Sequence, residues 1–193
     1  MEDLTVKFNH LYKVISSPRF LSMEALGGEI PFFISAYNAT QELEVRESTS
    51  MLINKLETNG VKVLEINLYD LACDILEDKG GMERMFRVEK AKGKDKFLRA
   101  LQSSLNMHEV LMPRLEELIR SVEADVYLLT GIGLVFPFIR SHTILNNLQN
   151  IAKNAPTVCF FPGVYTGQSL NLFGLLKDDN YYRAFNIENI EVK

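Results

Sequence analysis

Two short segments of the chain are almost continuously apolar, and they constrain its fold more than any other feature. The first, Ile30 to Tyr37, reads Ile-Pro-Phe-Phe-Ile-Ser-Ala-Tyr, and the second, Asp125 to Thr130, contains the run Val-Tyr-Leu-Leu. A strand with one face in water alternates apolar and polar residues, whereas a strand buried on both faces is apolar throughout. These segments therefore predict strands of a parallel sheet that helices cover.

Two further segments, Val61 to Leu68 and Thr157 to Phe161, complete a predicted sheet of four strands. The residues between the first two strands predict a helix that Asn38 caps and Asn59-Gly60 ends. Its apolar positions recur at helical spacing: Val45, Leu52, Ile53 and Leu56. A second helix, with Ser141 as its predicted cap, precedes the fourth strand. This alternation of strand and helix is typical of parallel crossovers, which are right-handed.

A long helical insert is predicted between strands two and three, at residues 71–122. Within it, Asn106 with Glu109 indicates a new helix start, and Pro113 stands either in an early helical turn or at a kink. Arg183 to Ile187 is a candidate edge strand. Residues 1–193 are accordingly predicted to form a single α/β domain. We expect three layers, α/β/α, around a mainly parallel sheet of four or five strands.

The predicted strands resemble a P-loop fold, in which the first strand leads into the loop that binds phosphate. Such a loop needs glycines, whose backbone amides cradle the phosphate, and a Lys-Ser/Thr pair. Here the segment Ser35 to Glu42 contains neither glycine nor lysine, and Glu42 and Glu44 would repel a triphosphate. The third strand ends in Leu128-Leu-Thr-Gly131, without a carboxylate to hold magnesium. These residues argue against ordinary nucleotide hydrolysis and predict a degenerate P-loop-like skeleton.

Two short motifs resemble catalytic sites but lack an essential residue. His108-Glu109 resembles the start of a zinc-protease helix, yet Met112 stands where the second histidine is needed. Gly167-Gln-Ser169 resembles a nucleophile elbow, but its closing glycine is missing and no histidine follows the serine. Cys73 and Cys159 are too few and too dispersed for a metal knuckle, and we expect reduced thiols in the core. The sequence predicts no catalytic residue, no cofactor and no metal.

A basic strip interrupts an otherwise acidic chain. The formal net charge is −4, yet residues 84–99 hold seven basic residues against two acidic ones, Glu89 and Asp95, a local net charge of +5. The basic residues are Arg84, Arg87, Lys90, Lys92, Lys94, Lys96 and Arg99. Such a strip can meet the phosphates of DNA or an acidic protein surface, and it can equally be the solvated face of a helix and loop around Gly93.

A group of polar and aromatic residues after the later strands is the candidate partner or ligand surface. Its members are Phe136, Arg140, His142, Tyr165, Gln168, Tyr181 and Arg183. Arginine and tyrosine are enriched where proteins bind one another, and the run Phe136-Pro-Phe138 is costly to leave in water. The alternative is structural: Arg140 pairs with a carboxylate of the protein, and a tyrosine of the stretch Asn180 to Phe185 is buried with its hydroxyl satisfied.

These stretches resemble one protein family over essentially the whole chain. They read Leu129-Thr-Gly-Ile-Gly-Leu-Val-Phe-Pro-Phe-Ile-Arg140-Ser-His142, Phe160-Phe-Pro-Gly-Val-Tyr165-Thr-Gly-Gln168-Ser-Leu170 and Tyr181-Tyr-Arg183-Ala-Phe185. They are similar to the BrxB family, a component of the BREX bacteriophage-exclusion systems of prokaryotes. The resemblance implies cytoplasmic residence and work alongside a DNA methyltransferase, a large ATPase and the alkaline-phosphatase-like protein PglZ. It implies no catalytic residue, because none is defined for the family.

The sequence also predicts a cytoplasmic location with no membrane attachment. No apolar run reaches the roughly 18 to 20 residues that cross a bilayer. The N-terminus, Met1-Glu2-Asp3-Leu4, is acidic and lacks the apolar segment of an export signal.

Three functions are compatible with these residues. The first is a non-catalytic assembly or adaptor subunit that binds another BREX protein, with PglZ preferred. The second is a DNA-binding accessory subunit that uses the basic strip; otherwise any link to DNA is indirect. The third is an enzyme of unknown reaction that acts through Arg140, His142 and Tyr165, and it needs a pocket that joins the ends of strands one, three and four.

Overall fold

The computed structural model describes residues 3–23, 31–177 and 184–191. Its helices are α1 (Leu4–Ile15), α2 (Pro18–Leu21), α3 (Glu42–Thr58), α4 (Leu68–Asp78), α5 (Met82–Ala91), α6 (Lys94–Ser104), α7 (Met112–Ser121) and α8 (Ser141–Ile151). Its strands are β1 (Phe32–Tyr37), β2 (Val63–Asn67), β3 (Val126–Thr130), β4 (Thr157–Tyr165), β5 (Leu170–Leu172), β6 (Leu176–Lys177) and β7 (Phe185–Asn186). Short 3₁₀ turns at Ala39–Gln41 and Ile187–Asn189 and a π-helical turn at Met107–Leu111 complete the described structure.

The sheet is mainly parallel, so the predicted α/β class is confirmed. Five strands pair in parallel in the order β2-β3-β4-β1-β7, while β5 pairs antiparallel with β4 and β6 with β5. The described sheet thus has seven strands, and the prediction of four or five was too low because it omitted β5 and β6. The candidate edge strand at Arg183 to Ile187 is present as β7 beside β1, over Phe185–Asn186.

Alternate residues of β1 lie in two different hydrophobic clusters. Phe32 and Ile34 pack with buried residues of α4, α7 and α8, whereas Phe33 and Tyr37 pack with buried residues of α1, α2 and α3. Since side chains of a strand point alternately to its two faces, both faces of β1 are covered. The same holds for β3, where Val126 to Leu129 are all buried. Burial on both faces is the physical reason for the apolar runs in the sequence.

The crossover after β1 contains the predicted helix, but Asn38 caps the 3₁₀ turn Ala39–Gln41 before α3, and Gln41 holds the capping position of α3 without a side-chain cap hydrogen bond. The Asn38 side chain accepts a hydrogen bond from the Thr40 amide at 3.0 Å, and Gly60 ends α3 with a φ of +82°. Ser141, however, is not the cap of α8. The helix begins at Ser141, so that Arg140 holds the capping position, and no side chain makes a cap hydrogen bond there.

The helical insert consists of α4 to α7 between β2 and β3. Asn106 starts its last part as predicted, because its side chain accepts hydrogen bonds from the amides of His108 and Glu109, both at 3.0 Å. Pro113 lies in the first turn of α7, where a proline is tolerated because its missing N–H has no helical partner. None of the helices in the described part of the chain has the length and apolar composition to cross a membrane.

The fourth strand is longer than predicted. Its first part pairs in parallel with β1, as far as the pair of Tyr37 with Pro162, and Gly163 to Tyr165 pair antiparallel with β5. The Pro162-Gly163 pair indicated the end of the strand, since such pairs usually mark turns. Here the Pro162 carbonyl accepts a hydrogen bond from the Phe173 amide at 2.8 Å. The backbone therefore stays extended and passes from the parallel pairing into a β-hairpin.

Candidate interaction surface

The carboxyl ends of parallel strands are where α/β folds bind their ligands, and in this protein side chains fill the space between the ends of β1 and β3. A cavity of about 480 Å³ lies beside the end of β2, with Glu65 and Asn67 in its lining, whereas the cavity that Tyr37 and Thr130 line has about 30 Å³. Ligand pockets usually have about 300–1,000 Å³, so this cavity has no room for a nucleotide. Among the residues that the structure describes, its lining does not include Arg140, His142 or Tyr165.

Tyr37 closes this edge from the end of β1. Its hydroxyl donates a hydrogen bond to Glu42 Oε2 at 2.6 Å, at the start of α3. Burial, and then the hydrogen bond to the Glu42 carboxylate, raise the pKa of Tyr37 far above its ordinary value. The phenol therefore stays neutral and donates to Glu42 at the end of β1.

The ends of β2 and β3 are closed by a similar exchange of hydrogen bonds. The Thr130 hydroxyl donates to Glu65 Oε1 at 2.8 Å. Asn67 Oδ1 accepts from the amide of Tyr69 at 3.0 Å and so caps α4. Gly131 follows β3 with a φ of +73°, and a Cβ at that position would lie 2.5 Å from Asn67 Oδ1. The glycine is needed because the backbone turns tightly against the cap of α4.

The segment between β3 and α8 packs on the β4–β5 hairpin. The rings of Phe136 and Phe173 meet edge to face, with centroids 6.1 Å apart. At Gly133 a Cβ would lie 2.9 Å from Pro162 Cγ and 3.0 Å from Phe173 Cε1. The structure thus brings Phe136 of the predicted partner surface against residues of the hairpin.

Tyr165, another predicted surface residue, is buried at the end of β4. Its hydroxyl donates a hydrogen bond to the Ala184 carbonyl at 2.6 Å. This contact joins the hairpin to the residue before β7. The Tyr165 hydroxyl is therefore engaged within the protein, and a role of Tyr165 in a partner or ligand surface stays a prediction.

The remaining predicted surface residues are distributed over three places. Arg140 is exposed before α8, and it takes part in none of the ion pairs of the described ranges. His142 is half-buried in the first turn of α8, and Gln168 is exposed in the turn between β4 and β5. Tyr181 and Arg183 lie outside the described residues. The assignment of these residues to a common site stays a prediction.

Exposed apolar side chains concentrate on the β4–β5–β6 hairpin and on the segment that packs against it. Leu175 is 83% exposed and Val164 is 51% exposed. We define the hairpin surface by six residues: Leu134, Phe136, Val164, Phe173, Leu175 and Leu176. Val164 pairs with Asn171 and Leu176 with Leu172, so Val164 and Leu176 lie on opposite faces of the hairpin. Exposed apolar side chains gathered on one arm are found at protein-binding sites. Sequence reasoning missed β5 and β6, although Gly174-Leu175-Leu176 offers a signal, since it is a turn glycine followed by apolar residues.

The basic strip lies on a helical hairpin formed by α5 and α6. All seven of its cations are exposed, and in the described part of the structure none of them forms an ion pair. α6 contributes no fully buried residue, and α5 contributes only Met85. The cationic side chains are therefore accessible to a partner.

The two cysteines differ in their surroundings. Cys159 is completely buried in β4, and burial raises the pKa of its thiol. Cys73 is half-buried on α4; burial raises its pKa, while a hydrogen bond with Tyr69 acts in the opposite direction. Both are free thiols, as predicted, although only Cys159 is a full member of the core.

A buried ion pair beside β1 was not foreseen from the sequence. Lys7 Nζ of α1 lies 2.6 Å from Glu188 Oε1, and it also donates to the Ala36 carbonyl at 2.6 Å. The Ser35 hydroxyl donates to the same Glu188 oxygen at 2.9 Å. These bonds connect α1, β1 and the turn after β7. Lys7 and Glu188 are too far apart in the sequence for local pairing rules to link them.

Comparison with known proteins identifies similar sequences. A family model described as BREX protein BrxB matches residues 64–187. A protein of the same description from Bacillus cereus (strain H3081.97) is 37% identical over 191 residues, which cover 97% of this chain and 98% of that protein. Another, from Escherichia coli O9:H4 (strain HS), is 30% identical over 184 residues, which cover 95% of this chain and 91% of that protein. None of the solved structures matches the chain significantly.

Proposed function

The chain belongs to the BrxB family, and we propose that it is a non-catalytic component of a BREX anti-phage defence system. It acts as an assembly or adaptor subunit that binds other proteins of the system. PglZ is the preferred partner, and the large ATPase and the DNA methyltransferase are the other candidates.

The hairpin surface is the observation that carries this proposal. Leu175 is 83% exposed and Val164 is 51% exposed on a short antiparallel arm outside the parallel sheet, and Leu134 is 44% exposed on the segment that packs against the arm. Burying such side chains in a complex releases about 25 cal/mol for each Å² of apolar area. The arm therefore favours protein binding, and Arg140 and Gln168 supply exposed polar groups on neighbouring segments.

The closed carboxyl edge supports the absence of catalysis by this fold. We regard the skeleton as a degenerate P-loop-like sheet, layered between helices, in which the phosphate loop has become a capped turn. The cavity of about 30 Å³ at that edge and the bond of Tyr37 to Glu42 support this interpretation. A protein that keeps the sheet but has the ligand position filled acts by binding other molecules at its surface.

The proposal is tested by co-purification of the tagged chain with each of the three candidate partners. Leu175→Asp and Val164→Asp place a charge on exposed positions of the hairpin surface and should not affect folding. We expect the wild-type chain to retain PglZ, and either variant to lose most of it. Leu43→Asp is the matched control, because Leu43 is 72% exposed on α3, outside the hairpin surface, and it should retain PglZ.

Two results would contradict the proposal. One is the failure of the wild-type chain to bind any of the three proteins. The other is binding that both hairpin variants retain in full, which would move the interface to a different part of the molecule.

Direct DNA binding through the basic strip is a second candidate, supported by the exposure of all seven cations. Electrostatic binding to duplex DNA releases counterions, so the logarithm of the association constant falls with the logarithm of salt concentration, by about 0.9 per phosphate contacted. Fluorescence anisotropy with a labelled duplex measures this slope. Lys90→Gln/Lys94→Gln should reduce it, while Lys13→Gln/Lys153→Gln, which removes two exposed lysines elsewhere, should not. No binding at low salt would exclude this candidate.

A further inference from the structure

An acidic groove lies between α4 and α7, on the same helical insert as the basic strip. Two adjoining cavities of about 480 Å³ and 340 Å³ share Arg114 and Glu117 in their walls. Their carboxylates are Glu65, Asp70, Asp74, Asp78, Glu109 and Glu117, and we call this set the acidic groove. Arg114 and Lys79 are the cations in the two walls.

Most of the charge in the acidic groove is not neutralised within the molecule. Arg114 binds Asp78 Oδ2 at 3.1 Å and lies 3.6 Å from Glu117 Oε2. In the part of the chain that the structure describes, Asp70, Asp74 and Glu109 form no ion pair. All three are exposed on the surface, so the groove presents an excess of negative charge to a partner.

The basic strip presents the complementary charge on α5 and α6. Its cations form no ion pair with the acidic groove in the described residues. Phe86 is 56% exposed on α5, beside Arg87. An apolar side chain among cations favours a protein partner over a phosphate backbone, because it gains little from contact with phosphate. Two complementary and unneutralised surfaces thus occur on one molecule.

We infer that the chain associates with a second copy of itself through these two surfaces. The basic strip of one protomer lies over the acidic groove of its partner, and the partner's basic strip returns over the first protomer's groove. Such a reciprocal arrangement closes a two-fold dimer and leaves no free end for further growth. Since the contact is largely electrostatic and exposed, it weakens as salt shortens the range of the charges. This inference does not depend on the adaptor proposal.

Sedimentation velocity of the purified chain, at about 50 mM and about 500 mM salt, tests it; the Debye lengths at these concentrations differ about threefold. We expect a dimer at low salt whose dissociation constant rises at least about tenfold at high salt. Asp70→Lys/Asp74→Lys and Arg87→Glu/Lys90→Glu each reverse one surface and should be monomeric at low salt. An equimolar mixture of these two variants should dimerise, because each then complements the other. Glu47→Lys/Glu57→Lys changes the net charge by the same amount on α3 and should dimerise like the wild type.

Circular dichroism of each variant keeps loss of folding separate from loss of association. A monomeric wild type at low salt would overturn the inference, and so would a dimer that both reversed variants retain. Failure of folded reversed variants to dimerise when mixed would also overturn it. Binding of duplex DNA by a wild type that is monomeric would instead assign the basic strip to nucleic acid.

Discussion

The ammonium group of Lys7 is the most deeply buried charge among the ion pairs of the described residues, with its side chain 4% exposed. It is tolerated because Glu188 and the Ala36 carbonyl both lie 2.6 Å away. A buried charge with its partners intact contributes little net free energy, whereas one that loses its partner is strongly destabilising. The pair therefore fixes the position of α1 and of the turn after β7 relative to β1.

Glu188→Gln tests this role. The substitution removes the charge that compensates Lys7, and because Glu188 is itself partly exposed, we expect a loss of about 1–3 kcal/mol in the free energy of unfolding. Urea denaturation measures it. Lys7→Met/Glu188→Gln should be more stable than Glu188→Gln alone, since no buried ammonium remains. A loss below about 0.5 kcal/mol for the single variant would contradict a structural role for the pair.

Tyr37 predicts a dependence of stability on alkaline pH. Burial and Glu42 raise its pKa in the folded state above the ordinary value of 10.0, so the folded chain holds the phenolic proton more tightly than the unfolded chain. The stabilisation is complete below about pH 10 and is lost as the pH rises above it. Tyr37→Phe should cost about 0.5–1.5 kcal/mol at neutral pH, because Glu42 loses its donor.

The same variant should also lose less stability than the wild type between about pH 10 and pH 11. Urea denaturation over this range measures the difference. Parallel losses of stability in the two proteins would contradict the raised pKa of Tyr37 as the cause.

At the scale of elements, Gly131 is where β3 meets the start of α4. Alanine there must adopt a φ of +73° with its Cβ 2.5 Å from Asn67 Oδ1. The backbone strain costs about 1–2 kcal/mol, and displacement of the Asn67 cap costs about 1 kcal/mol more. Gly131→Ala should therefore lose about 2–3 kcal/mol in the free energy of unfolding, measured by urea denaturation.

Gly60→Ala is the control for this prediction. Gly60 also has a positive φ, of +82°, but nothing lies within 4 Å of a Cβ there. Only the backbone strain of about 1–2 kcal/mol applies. An equal loss of unfolding free energy in the two variants would contradict a contribution from the contact between Gly131 and the α4 cap.

The elements that could be predicted from the sequence are those whose pattern is local. β1 and β3 are apolar because both faces are buried, Asn38 caps the 3₁₀ turn that leads into α3, and α3 ends before the predicted Gly60. β5 and β6 are two and three residues long, too short for periodicity to reveal. The extension of β4 depends on the bond of the Phe173 amide to Pro162, which no local pattern encodes.

At the scale of the whole molecule, the candidate site could be predicted only in part. Phe136 belongs to the hairpin surface, and the basic strip is exposed as expected. Tyr165 is instead buried, because its hydroxyl binds the Ala184 carbonyl. Leu175 and Val164 were missed because their exposure depends on the hairpin, which arises from tertiary pairing.

The hairpin surface and the closed carboxyl edge together suggest a molecule that acts through its exterior. The edge at the end of β1 is closed by Tyr37, Glu42 and their hydrogen bond. Val164 and Leu175 are exposed apolar residues in and after β4, and others, such as Leu43 on α3, lie elsewhere on the molecule. The closed end of β1 and the exposed apolar residues of the hairpin are the basis of the adaptor proposal.

Hydrogen exchange of the purified chain, alone and with PglZ, tests the adaptor proposal most directly. Binding at the hairpin surface should slow the exchange of backbone amides in residues 131–140 and 163–177, and should leave α3 unchanged. Addition of ATP or GTP with magnesium to the chain alone should slow exchange nowhere. Protection confined to Tyr37–Glu42 by a nucleotide, or the absence of protection at the hairpin with PglZ, would contradict the account.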